Sequence, residues 1–296
     1  MKILNIGSLN IDYVYTVSHF VQPGETLSST AMEVFCGGKG LNQSIALARA
    51  GLEVYHAGCI GQEGGMLVQN LADNGVDVGL IQPCSEKSGH AIIQVDATGQ
   101  NCILLYGGAN RCFTEAYIDE ALAAFSPGDT LLLQNEVNLV DSMIRRAKAR
   151  GMRVAVNPAP MSPDMLGATL GMADILFLNE VEAAGLCGVE DTERQIPALR
   201  ARYPDATLVL TLGEQGALYQ APGGEIFRQG IYPVPVVDTT AAGDTFIAYL
   251  LAGLEAGGDI PGCLRLAAMA SALTVSRKGA ATSIPWMEEV REALCL

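Results

Sequence analysis

From Asp129 to about residue 220 the chain alternates short apolar runs with segments of helical periodicity, and no other feature constrains the fold as much. The runs Thr130–Leu133, Arg153–Val156, Ile175–Leu178, Leu208–Thr211 and Ala217–Gln220 read as strands. Helical segments at about 138–150, 181–187, 192–202, 243–257 and 262–276 fall between or after them. Strands and helices in alternation bury their apolar sides in a mostly parallel sheet covered by helices on both faces. The expected class is therefore α/β with three layers, α/β/α.

The front of the chain breaks this rhythm. Ile3–Ile6 is a short apolar strand that stops at Gly7. Ile11–Val17, Leu27–Phe35, His90–Val95 and Cys102–Tyr106 are β-rich and separated by Gly, Pro or Asp turns. Helices are expected over Asn42–Ala50, closed by Gly51, and over Met66–Asn74, closed by Gly75. The β-rich pieces that do not fit the alternation imply a small β subdomain inserted into a single domain spanning 1–296. No internal repeat or low-complexity tract is visible.

Composition narrows the setting. With 296 residues, 49% apolar and 17% charged, the chain buries a large core, which excludes disorder as its main state. Thirty-two acids against 18 bases leave a net charge of −14 with no basic stripe. Nucleic acid and anionic membranes are therefore poor partners. No window of 18 apolar residues suggests a membrane span, and Met1–Gly7 reads as a strand instead of a signal peptide. Eight cysteines without a Cys-x-x-Cys pair, and three histidines without ligand spacing to them, read as buried reduced thiols in a cytoplasmic protein.

Chemistry concentrates in two stretches. In Val237-Asp-Thr-Thr-Ala-Ala-Gly-Asp-Thr-Phe246, small residues precede a long apolar helix. The free N–H groups and positive dipole end of such a helix hold an anion. Asp244 in its first turn is favoured in the charged form. A carboxylate beside an anion hole is what phosphoryl transfer to a hydroxyl requires. The competing reading, that Asp244 only caps the helix, stands about even on this stretch alone. The second stretch, Cys36-Gly-Gly-Lys-Gly-Leu-Asn42, opens the first helix. It is not a Walker A loop, because residue 33 is Glu and Lys39 is followed by Gly. No G-x-G-x-x-G follows the first strand, which disfavours a dinucleotide enzyme. Its glycines permit close backbone approach to a polar ligand, with Lys39 and Asn42 as hydrogen-bonding groups.

Together these stretches resemble the two signatures of the ribokinase-like (PfkB) carbohydrate kinases. The first covers Gly37-Gly38-Lys39-Gly40-x-Asn42 with Gly51 and Gly61, and the second Asp238-Thr-x-Ala-Ala-Gly-Asp244. Further matches in order are Gly7-Ser-x-Asn10-x-Asp12, Pro23-Gly-Glu-Thr26, Gly108-Ala-Asn110, Asn157-Pro-Ala-Pro160, Asn179-Glu-x-Glu182, Thr211-Leu-Gly213 and Arg277-Lys-Gly-Ala280. The Asn-x-Asp and Asn-Pro-Ala-Pro elements resemble the ribose-specific branch more than the wider family.

The resemblance implies roles. Asp244 would be the base that takes the sugar hydroxyl proton, with the amides of Ala241, Ala242 and Gly243 as anion hole. Asn10, Asp12, Gly38, Lys39, Asn42 and Glu136 would hold the sugar, alongside Asp244. Asn179, Thr211, Gly213, Gly216 and Gly243 would line ATP, and Glu182 would organise Mg2+ through water. Asp238, Thr240, Thr274, Arg277, Gly279 and Ser283 would bind an activating K+, several through backbone carbonyls. Segments 11–17, 27–35, 90–95 and 101–106 would form a β-sheet lid, and pairing of two lids would make a homodimer.

Two positions depart from the family pattern. Gly61 is followed by Gln-Glu-Gly-Gly65 where Gly-x-Asp is usual, and Tyr249 stands where a second small residue is usual, with crowding of the helix packing expected. Residues 1–110 carry only Lys2, Lys39, Arg49 and Lys87 as bases, which points to a neutral sugar over a sugar phosphate. D-ribose, phosphorylated to D-ribose 5-phosphate, leads. A nucleoside, deoxyribose or another ketose follows, and a catalytically silent sugar-binding regulator is the reading from another class.

Overall fold

The computed structural model describes residues 1–161 and 168–295. The strands are β1 (Ile3–Ile6), β2 (Asn10–Thr16), β3 (Ala31–Gly37), β4 (Val54–Ala57), β5 (Cys59–Ile60), β6 (Gln82–Pro83) and β7 (Gly89–Val95). They continue with β8 (Asn101–Tyr106), β9 (Thr130–Gln134), β10 (Arg153–Asn157), β11 (Ile175–Asn179), β12 (Thr207–Thr211), β13 (Ala217–Gln220) and β14 (Ile226–Gln229). The helices are α1 (Lys39–Arg49), α2 (Gly65–Asp73), α3 (Glu115–Ala123), α4 (Val140–Ala149), α5 (Glu180–Cys187), α6 (Thr192–Arg202), α7 (Ala242–Glu255), α8 (Ile260–Val275) and α9 (Met287–Ala293).

The large sheet runs β14-β13-β12-β11-β10-β9-β1-β4. From β12 to β4 neighbouring strands are parallel, and β13 and β14 add two antiparallel strands at one edge. Successive side chains on a strand point to opposite faces, and here each face has its own core. Leu131 and Leu133 join Leu176, Leu178 and residues of α3 to α6 on one side. Leu132 between them joins Phe177, Val209 and residues of α1, α7 and α8 on the other. A strand buried on both faces needs the continuous apolar composition that made these runs visible.

A second sheet, ordered β3-β2-β7-β8, is the expected small subdomain. The segment expected as a strand over 27–35 begins instead at Ala31. Ser28-Ser29-Thr30 has the small hydroxyl side chains of a turn, and Thr30 N–H bonds Thr16 O at the start of the pairing. β4, the edge strand β14, α3 and α9 went unread in the sequence. β4 has only four residues, and β14, Ile-Phe-Arg-Gln, is equally short and half polar. Among the described residues no helix is long and apolar enough to cross a membrane.

α7 packs against both α8 and α1. Tyr249, expected to crowd this packing, is fully buried and its hydroxyl donates to Pro285 O at 2.7 Å. The ring fills space between α7 and the C-terminal loop, so the larger residue is accommodated by a bond that two small residues would not make.

Candidate active site

Five parallel strands end at the same edge of the sheet, and each delivers a polar residue there. β1 leads to Ser8 and Asn10, β9 ends at Gln134 and leads to Glu136, β10 ends at Asn157, β11 at Asn179 and β12 at Thr211. The register keeps them level: Gln134 pairs with Asn157, and Asn179 with Thr211. Ligands of open α/β sheets bind outside these carboxyl ends.

The N-terminus of α7 closes this edge. Ala241, its N-cap, has φ 62° and ψ 5°, and no side chain caps the helix. A left-handed alanine costs on the order of 1 kcal/mol, strain of a kind that collects at functional sites. Ala242 N–H reaches Thr239 O only at 3.3 Å, a long bond that an anion would displace. Nothing lies within 4 Å of the position a side chain on Gly243 would take, so the space beside it is open.

Asp244 is buried at 6% exposure and held from α1. Gln43 Nε2 donates to its Oδ1 at 2.8 Å, and Asn42 Nδ2 to its Oδ2 at 3.3 Å. An acid that only capped its own helix would face its own backbone amides, so the capping reading loses ground. The negative charge of Asp244 raises the Lys39 ammonium above the ordinary lysine range against the cost of burial, with Glu136 and Glu182 adding to the effect. One cation thus sits among three carboxylates.

The sugar candidates gather around Glu136. Its carboxylate accepts from Ser8 Oγ and, at 2.9 Å, from Lys39 N–H. Gly38 has φ +94° and lies against Ser8, where a Cβ would be crowded and strained. Asn10 Oδ1 accepts from Asn110 Nδ2 at 2.7 Å, and a side chain on Gly89 would collide with both amides. Asn42 Oδ1 is buried and has no partner, which leaves an acceptor for a donor such as a hydroxyl. Asp12 enters from β2 of the small sheet. Burial first, and the Glu136 charge second, raise its carboxyl to about 7.

A cleft of about 490 Å³ opens beside these residues, with Asn10, Asn110 and Glu136 in its wall. Arg111 also lines it, one residue past the stretch scanned for bases in the sequence. Its Nη1 is engaged with Val137 O at 3.1 Å, so part of its fork is already spent on backbone.

Asn179 and Glu182 form a full capping box on α5: Asn179 Oδ1 accepts from Glu182 N–H at 2.8 Å, and Glu182 Oε2 from Asn179 N–H at 3.0 Å. Glu182 is also buried, which raises its carboxyl, with the Asp244 charge adding and bonds from Asn179 and Asn157 opposing. Its oxygens already accept from Asn179 Nδ2 at 3.1 Å and Asn157 Nδ2 at 3.4 Å. A carboxylate so committed fits a hydrated divalent ion held through water better than a bare one. Thr211 and Gly213 sit at the end of β12, with Gly213 at φ 51°. Gly216 has a structural reason of its own, since a side chain there would collide with Gln229 O.

The residues expected around K+ come together where 237–240 meets 275–283. Asp238 Oδ1 accepts from Thr240 N–H at 2.9 Å and Thr240 Oγ1 at 2.6 Å, and its Oδ2 from Gly279 N–H at 3.0 Å. Burial pushes the Asp238 carboxyl up, but these donors outweigh it and hold it below the usual range. Thr274 and Ser283 are fully buried, and the Arg277 side chain turns away to Glu289 at 2.7 Å. Such a loop offers hydroxyls and backbone carbonyls, the donor set that suits a weakly hydrated monovalent ion. Among the described residues no group of three or more His, Cys, Asp or Glu is arranged to hold a metal directly.

Ser8, Gln43, Asn110, Gln134 and Asn157 were not assigned roles from the sequence. Ser8, Asn110 and Asn157 lie inside quoted motifs, and Gln43 directly follows one; the signal was adjacency to those motifs.

Comparison with known proteins agrees with this geometry. The profile of the pfkB family carbohydrate kinases matches residues 1–287. The ribokinase of Haemophilus influenzae is 36% identical over 298 residues, covering 98% of this chain and 97% of the relative. A deoxyribokinase of Salmonella typhi is 32% identical over 306 residues, covering 100% and 99%. Arabidopsis thaliana ribokinase, solved with ribose and ATP, superposes with a TM-score of 0.88 at 28% identity, covering 99% of this chain and 98% of that one.

Proposed function

The chain belongs to the pfkB family of carbohydrate kinases, and from that premise we propose that it transfers the γ-phosphoryl group of ATP to the primary hydroxyl of D-ribose, giving D-ribose 5-phosphate. The observation that carries this reading is Asp244, buried, held by Gln43 and Asn42, and set in the first turn of an uncapped helix beside open space at Gly243. Ribokinases named among its relatives and neighbours support the substrate.

In this reading the sugar lies under the lid, with its hydroxyls on Asn10, Asp12, Lys39, Asn42 and Glu136 and its reacting hydroxyl on Asp244. Asp244 accepts the hydroxyl proton as the oxygen attacks. The amides at the start of α7 meet the transferring phosphoryl group, whose charge Lys39 also offsets. Asn179, Thr211, Gly213 and Gly216 border the nucleotide. Glu182 is the residue that would organise Mg2+, which when bound neutralises phosphate charge. Asp238, Thr240, Thr274, Gly279, Ser283 and the Arg277 carbonyl are those that would hold K+. Two lids pair into a homodimer, and the protein works in the cytoplasm.

Deoxyribose is the alternative that a specific observation favours, because a deoxyribokinase matches the whole chain. The test is ADP release across pentoses, deoxyribose, hexoses and nucleosides, with Asp244→Asn in parallel. Ribose is expected to give the highest kcat/KM, and the variant to lose at least about a thousandfold in kcat. A preference for deoxyribose would overturn the substrate, and no difference between wild type and variant would overturn the catalytic reading.

A further inference from the structure

The Gln43 amide has its direction fixed from both ends by groups that can only accept. Asn5 Nδ2 donates to Gly40 O and to Ser44 Oγ, each at 2.8 Å, so Asn5 Oδ1 must face the other way. That oxygen accepts from Gln134 Nε2 at 3.0 Å, and the same Gln134 nitrogen donates to Gln43 Oε1 at 2.6 Å. Gln43 Nε2 is then left to point at Asp244 Oδ1, 2.8 Å away. On the far side, Asn157 Nδ2 donates to Phe177 O at 3.1 Å and to Glu182 Oε2 at 3.4 Å, which turns Asn157 Oδ1 toward Gln43 Nε2 at 3.3 Å. Backbone carbonyls of Gly40 and Phe177 cannot donate, so a flip of any link would set oxygen against oxygen or nitrogen against nitrogen inside this buried chain, where Gln134 Oε1 already lacks a partner.

The chain is also sealed from water. Asn5, Gln43, Ser44 and Gln134 are fully buried, and Asn157 nearly so. A side chain on Gly7 would collide with Gln134 Oε1, and one on Gly40 with the backbone of Gly7 and Ser8, so both glycines serve the approach of α1 to β1 that brings these amides together. His56 closes the Asn5 end: its Nδ1 meets Ser44 Oγ at 2.8 Å, and burial lowers it to about 3. No charge therefore enters the chain from that side.

Building on the reading of Asp244 as base, we propose that Gln43 is the positioning residue of the reaction: its amide, locked as donor by Gln134 and Asn157, anchors Asp244 Oδ1 and leaves Oδ2 as the atom that takes the sugar proton. Oδ2 is the freer oxygen, with Asn42 Nδ2 at 3.3 Å as its partner. Gln43 Nε2 faces Oδ1 with hydrogen, so a proton arriving there would oppose a donor. The same amide, through Asn157, ties the base to Glu182 and so to the phosphate side of the site.

The test is a double-mutant cycle of Gln43→Leu with Asp244→Asn, read by ADP release with ribose and ATP both varied. Gln43→Leu keeps the volume and removes the donor. Its kcat is expected to fall roughly 10- to 100-fold while KM for ribose stays within about threefold, and it should add nothing further in the Asp244→Asn background. A purely structural role would lower the melting temperature and active fraction without this split, and would act equally in both backgrounds. Should Gln43→Leu fail to fold, Gln43→Met, which also removes the donor without adding a charge, is judged by the same criteria. A kcat within about threefold of wild type, or an undiminished effect in the double variant, overturns the proposal while Asp244→Asn still reports on the base. Retained activity in Asp244→Asn alone overturns the base reading instead.

Discussion

The carboxylate of Asp12 occupies the space that a side chain on Gly37 would fill. The two residues are diagonal neighbours across β2 and β3, where Asp12 pairs with Phe35 and Gly37, two residues on, pairs with Asn10, and a Cβ on Gly37 would collide with Asp12 Oδ2. Gly37 has no left-handed backbone angle, so the requirement is steric and not conformational. Gly37→Ala should therefore displace the Asp12 carboxylate, proposed above to hold the sugar, while leaving the chain folded. KM for ribose is expected to rise at least about tenfold, with little change in KM for ATP. Gly51→Ala is the control: at φ +87° with open space around it, it should cost roughly 1 kcal/mol of stability and leave both KM values alone. Steady-state kinetics and thermal melts of the two variants separate these outcomes.

Asp12 also predicts a pH dependence. Burial, with the Glu136 charge second, raises its carboxyl from 3.8 to about 7, so the folded lid keeps a proton that the unfolded chain gives up. The associated stability is complete below 3.8 and drains away as pH climbs through about 7. Sugar binding has the opposite sign, because hydroxyl donors need the ionised acceptor. KM for ribose should fall as pH rises through 7, whereas Asp12→Asn should give a high and flat KM. The same variant should melt higher above pH 7, by about 1–2 kcal/mol after allowing for the partly open site. A wild-type KM that is flat between pH 6 and 8 would count against this role.

The division between what could be read and what could not follows from how far each signal travels along the chain. Strands buried on both faces announce themselves through continuous apolar runs, so β1, β9, β10, β11 and β12 were legible to within a residue or two. β14 was not, because an edge strand of mixed polarity looks like a loop. Asp244 and Glu182 were legible because local motifs mark them. Gln43 was not, since its meaning lies in partners at residues 134, 157 and 244, which meet only when α1 packs on α7 and beside β9 and β10. The capping box of Asn179 and Glu182 does not compete with a role in the site, because it leaves Glu182 buried near Lys39 and Asp244.

The loop proposed to hold K+ separates side-chain from backbone contributions. Asp238 holds Thr240 and Gly279 through three bonds, whereas the Arg277 side chain serves Glu289 and through it Trp286 N–H. Rates in K+ should exceed those in Na+ or cation-free buffer. Asp238→Ala should abolish that difference and lower kcat about tenfold or more, because the loop abuts the start of α7. Arg277→Ala should leave activation by K+ intact and lower the melting temperature by a few degrees. Equal wild-type rates in all three buffers would remove the cation site.

The small sheet, the proposed lid, leaves a row of apolar residues facing outward. Register puts Tyr13, Val34, Ile92 and Leu104 on one face, in adjacent strands and directly opposite one another. Leu104 is 69% exposed, and Val34 and Ile92 are also open to solvent. An isolated sheet of this size is marginal unless its apolar face is covered, and contiguous exposed apolar surface marks association. A second copy of the same lid is the occupant proposed above. Leu104→Asp places a charge at the most exposed residue of the row, on the edge strand β8, without touching Asp12, which projects from the opposite face. Light scattering should give a dimer for wild type and a monomer for Leu104→Asp at the same concentration. In the monomer, KM for ribose should rise severalfold, because an unpaired lid orders Asp12 less well, while the melting profile of the large sheet persists. A monomeric wild type, or a dimer that survives Leu104→Asp, would place the contact elsewhere.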